Sequence, residues 1–60
     1  MTHLDWQINI ENLVASVTKK LGAQAASWPF IRVGATCFDD LVPCYYDEVF
    51  GDLMQMDNDP

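Results

Sequence analysis

The sequence predicts a small all-α domain, and three observations carry that prediction. Residues 6–21 and 44–56 each place apolar side chains at helical spacing. Gly22, Pro29, Gly34 and Pro43 punctuate the stretch between them. Half of the 60 residues are hydrophobic, enough for a core and too many for a disordered acidic tail. A chain of this length forms a single domain, residues 1–60, and buries only about 60% of its unfolded surface. Its core is therefore expected to be thin, with a partner or self-association as one source of added stability.

The first element is the clearest. Trp6, Ile10, Leu13, Val14, Val17 and Leu21 form one stripe at 100° per residue, an amphipathic helix. Asp5 is the expected N-cap, with Asn9 as a second candidate. Lys19 and Lys20 suit the negative end of the helix dipole, and Gly22 is the expected stop. A competing pattern overlaps the start: Leu4, Trp6, Ile8 and Ile10 alternate with polar residues, as a half-buried strand would.

Residues 23–27 (AQAAS) read as a helical turn or a loop. Pro29 biases Trp28 away from helical geometry, so WPFIRV reads as extended up to Gly34. That gives an α+β alternative, a short strand pair from residues 3–8 and 29–33. Thr36–Asp39 has the spacing of a capping box, predicting a short helix from Cys37 to Val42. Pro43 ends it and suits the first position of the next helix. Tyr46, Val49, Phe50, Leu53 and Met56 form the last stripe, weakened by Gly51. Residues 57–60 are expected to fray as an acidic tail. In the assembled domain the first helix packs on the last, with Trp28, Phe30 and Phe38 filling the gap between them.

No catalytic, metal or cofactor site is expected. Cys37, Cys44 and His3 make up the residue list of a thiol nucleophile, but His3 lies near the terminus. Two cysteines seven apart and one distant histidine do not match zinc spacing. The acids lack the alternation of a calcium loop, and the glycine patterns of nucleotide sites are absent. The cysteines read as free, partly buried thiols rather than a secreted disulfide framework. No apolar run reaches membrane-spanning length, and the N-terminus lacks a signal-peptide pattern, so a cytoplasmic setting is expected.

Charge is the most distinctive feature. The net charge is −6, yet residues 1–38 carry a balance of +1. All the excess lies in residues 39–60: Asp39, Asp40, Asp47, Glu48, Asp52, Asp57 and Asp59, with no base among them. Direct binding of nucleic acid or an anionic membrane is disfavoured. Helix-dipole stabilisation accounts for Asp39, Asp40, Asp47 and Glu48, but not for the absence of bases. Glu48 and Asp52 are like charges four apart, which costs a few tenths of a kcal/mol in a helix. Acids at that ~6 Å pitch are on the scale of phosphates along a nucleic-acid strand. Tyr45, beside them, is the exposed aromatic anchor of the reading, whereas Tyr46 lies on the apolar stripe.

In size and charge, over the whole chain, the sequence is similar in kind to small acidic phage inhibitors such as anti-CRISPR proteins and other nucleic-acid mimics. The likeness rests on no motif and transfers no residue roles. It implies a cytoplasmic inhibitor, in a host cell if phage-encoded, that occupies the basic groove of a nucleic-acid-binding protein. The competing reading is a structural interaction module, a small subunit or homodimer, joined through Trp6, Trp28, Met54 and Met56. A regulator such as an antitoxin shares the acidic surface with the first reading and differs only in target.

Overall fold

A computed structural model describes residues 2–58. Three α-helices account for most of them: α1 (His3–Leu21), α2 (Ala23–Arg32) and α3 (Tyr46–Asn58). Two 3-10 turns, Phe38–Asp40 and Pro43–Tyr45, lie in the link between α2 and α3. The domain is all-α. Among the described residues there is no strand, so the strand pair is overturned: residues 3–8 lie in α1 and residues 29–32 in α2.

Local chemistry explains the ends of α1. The N-cap is Thr2, not Asp5 or Asn9. Its hydroxyl accepts from the Asp5 N–H (3.1 Å), and its own N–H donates to the Asp5 carboxylate (3.5 Å). Asp5 is thus the third helical residue of a capping box, where acids are also favoured by the dipole. Asn9 lies in the helix body and donates back to the Asp5 carbonyl (2.8 Å). Gly22 ends α1 at φ +98° and starts α2 immediately. Few residues other than glycine adopt that backbone, so one position makes the whole corner.

The extended reading of residues 28–33 fails for a packing reason. Pro29 sits inside α2, where it removes a backbone donor and crowds the preceding turn, at a cost of about 3 kcal/mol. Pro29, Ala26 and Phe30 are buried together, and fully burying a large apolar side chain contributes about 1.5–3 kcal/mol. Tertiary burial therefore overrides the local preference. The helix closes with a Schellman pattern: Ala35 N–H bonds the Phe30 carbonyl (2.9 Å) and Gly34 N–H the Ile31 carbonyl (3.0 Å). Gly34, at φ +79°, is the left-handed residue that motif requires.

Contacts along the helices define an up-down-up bundle. α1 and α3 run parallel, with Tyr46 against His3 and Trp6, Phe50 against Trp6, and Asp57 against Ser16 and Lys20. α2 runs back between these directions and sets Arg32 on Asp52. The core joins Ile10 and Val17 of α1, Phe30 of α2, Phe38 and Leu41 of the link, and Tyr46, Val49 and Leu53 of α3. Both stripes read from the sequence face it, except that Leu21 is exposed. Of the three residues expected to fill the gap, Phe30 and Phe38 do so, but Trp28 points outward and is 59% exposed. The Cα envelope is a slab of 29 × 21 × 14 Å. Its accessible surface, 3991 Å², matches the ~3,950 Å² typical of a folded monomer of this mass. The chain reaches ordinary compactness by itself.

Candidate functional site: the acidic segment

The acids of residues 39–58 divide into two sets. Asp40 is used locally: its carboxylate accepts from the Thr36 N–H (3.0 Å), the Thr36 hydroxyl (2.8 Å) and the Cys37 N–H (3.0 Å). These donors hold its carboxyl below the usual range, the Cys37 N–H contributing most, then Thr36. The expected capping box is therefore shifted. Its acid is Asp40 rather than Asp39, and it nucleates one 3-10 turn, not a helix to Val42.

Asp52 and Asp57 are tied to the other helices. Asp52 pairs with the Arg32 guanidinium, which also lies 5.9 Å from the Trp28 ring centroid. Asp57 accepts from the Ser16 hydroxyl and faces the Lys20 ammonium (3.2 Å), which also donates to the Asp57 carbonyl (2.7 Å). Ser16 first, then Lys20, holds the Asp57 carboxyl below the usual range. An acid in the last turn of a helix opposes the dipole, and Lys20 compensates at that point. Residues 57 and 58, expected in a frayed tail, form the end of α3. Asp59 lies outside the described residues.

Asp39, Asp47 and Glu48 form the second set. All three are exposed, and among the described residues none has a hydrogen-bond or ion-pair partner. Asp47 and Glu48 occupy the first turn of α3, where the dipole favours them. Tyr45 immediately precedes that helix and is 39% exposed, while Tyr46 is buried against Phe38. The charge run thus shortens to residues 39–48. The continuous helical row through Glu48 and Asp52 is broken, because Asp52 is neutralised by Arg32. Sequence separation hid this: Arg32 is twenty residues from Asp52, and Lys20 thirty-seven from Asp57.

The other candidate residues are placed as follows. His3 is not at a loose terminus; its Nδ1 is hydrogen-bonded to the Tyr46 hydroxyl (2.9 Å), with its ring against Phe38. Cys37 and Cys44 are free, but both are exposed rather than partly buried, since the link that carries them puts Phe38 and Leu41 inward instead. Among the described residues no three His, Cys, Asp or Glu side chains gather as a metal site would require. Nor is any helix among them long and apolar enough to cross a membrane. Of the apolar dimer residues, Trp6 and Met56 pack on the chain's own core, whereas Trp28 and Met54 are exposed.

These features define a class: a small three-helix domain with one end of α3 left acidic and uncompensated. No known family model, curated protein or solved structure matches the chain. The site therefore rests on its own geometry.

Proposed function

We propose that this protein is a non-enzymatic acidic binding protein that inhibits a nucleic-acid-binding partner by occupying its basic groove. The observation that supports this reading is the unequal pairing of the acids. Two of the three bases, Lys20 and Arg32, are engaged by Asp57 and Asp52. The third, Lys19, lies in the last turn of α1, at the far end of the parallel α1–α3 pair from Asp47 and Glu48. The field around Asp39, Asp47 and Glu48 is consequently negative, and it would accelerate encounter with a basic surface. Tyr45 offers an aromatic anchor beside those charges.

The test is affinity capture from nuclease-treated bacterial lysate across a salt series. Wild type is compared with the double variant Asp47→Lys, Glu48→Lys, which leaves the Asp52 and Asp57 ion pairs intact. The expected result is a basic nucleic-acid-binding protein retained by wild type, released by rising salt and missing with the variant. Capture indifferent to both salt and charge reversal overturns the proposal.

A further inference from the structure

α1 and α2 face each other through small side chains. Ala15 and Thr18 on one helix and Ala23, Ala26 and Ser27 on the other line the space between them. The result is an open groove of about 390 Å³, with buried Phe30 and Phe38 along its floor and Glu11, Thr36 and Cys37 along its edge. That volume lies at the lower end of the range for small-molecule sites. Filling such a groove would be a simple gain for a thin core, since apolar groups taken out of water stabilise the fold. Yet large side chains are elsewhere, with Trp28 and Ile31 mostly exposed. The small residues leave the groove open, with Val14, Ala15 and Ala23 as its accessible apolar surface.

Charge selects among occupants. Of the described residues that line the groove, Glu11 is the one charged side chain. It is exposed, and no described residue pairs with it. Asp40, whose carboxylate accepts from the Thr36 and Cys37 N–H groups, sets a second negative charge at the groove's edge. A carboxylate or phosphate ligand meets repulsion from both, whereas a cation is attracted by both. We propose that this groove binds a small organic cation with an apolar body, an aryl- or alkylammonium. Its hydrocarbon lies over Val14, Ala15 and Ala23, and its ammonium faces Glu11. This site uses none of Asp39, Asp47 or Glu48, so it stands or falls separately from the acidic segment.

The experiment is an amide NMR titration of the full chain at low ionic strength with three probes of one shape: 4-phenylbutylammonium, 4-phenylbutanol and 4-phenylbutyrate. The expected result is saturable shifts centred on Val14, Ala15, Ala26, Ser27 and Cys37, tightest for the ammonium and weakest for the carboxylate. Glu11→Gln, a change outside the core, should weaken the ammonium about five-fold and leave the alcohol unchanged. Ala15→Phe, at an exposed position, should block all three by filling the groove. Equal affinity for ammonium and carboxylate overturns the proposal. So do shifts scattered over the surface, an unchanged ammonium affinity in Glu11→Gln, or no saturable shift up to about 10 mM.

Discussion

The two ends of the parallel α1–α3 pair are joined by different physics. At the N-terminal end the contacts are mainly rings, with one hydrogen bond between them, His3 to Tyr46. Phe38 stacks on Tyr46 with centroids 4.9 Å apart, and Trp6 meets Phe50 edge-on at 5.6 Å. At the C-terminal end the contacts are polar, Ser16 and Lys20 on Asp57. Aromatic packing engages no carboxylate. Where rings hold the helices, Asp47 and Glu48 are left over; where charge holds them, Asp57 is occupied. The same residue type is structural at one end and available at the other, and the deciding factor is what else closes the interface.

Removing the ring contact should give the largest effect. Phe38→Ala deletes a buried side chain from the centre of the cluster and is expected to cost about 3–5 kcal/mol. The whole stability of a domain this size is about 3–9 kcal/mol. The variant should therefore be largely unfolded at 37 °C by circular dichroism. A cooperative melt within a few degrees of wild type would show that the polar end holds the bundle. Next comes acid. Asp40 and Asp57 have carboxyls held below the ordinary range, so their contribution is complete above the unfolded value of about 3.9. It is lost as pH falls through their lower folded values. Melting temperature should fall below about pH 4, and less steeply in Asp57→Asn and Asp40→Asn than in wild type. Parallel pH profiles in all three proteins would remove the structural role given to these carboxylates.

How much of this was readable from sequence depends on distance along the chain. The stripes of α1 and α3 were legible, because a helix face is a local pattern. Gly22 and Gly34 were legible as stops, although Gly34 closes a helix rather than a strand. α2 was not, since Pro29 and Trp28 argue locally against it and only the burial of Ala26, Pro29 and Phe30 outweighs them. The acids were legible as a group, but their division was not. Nothing near Asp52 or Asp57 in sequence announces Arg32 or Lys20, whereas the Asp40 latch is local and was missed by one position. The Trp28 position misled for a related reason: large apolar residues are usually inside, and this one lies beside Arg32 at the surface.

Gly51, midway along α3, calibrates the comparison because it belongs to neither end. A Cβ there meets nothing within 4 Å, and its φ is not positive. Gly51→Ala should stabilise the helix by about 1 kcal/mol and raise the melting temperature by about 4–8 °C. Failure to stabilise would mean that α3 frays as two independent halves, each held only by its own end.

The smallest effect sharpens the assignment of the unpaired acids. Glu48 gains about 0.3–1 kcal/mol from the helix dipole and loses a few tenths to Asp52 four residues on. Arg32 already neutralises Asp52, which shrinks that repulsion. Glu48→Gln should therefore change stability by no more than about 0.5 kcal/mol, slightly downward at low salt, with the difference vanishing in 1 M salt. Urea unfolding at both ionic strengths is the measurement. A loss above about 1 kcal/mol would reveal an internal partner for Glu48 and take it out of the free acidic set. A near-neutral result leaves a carboxylate that the fold neither needs nor uses, which is the property a charge must have to be spent on a partner.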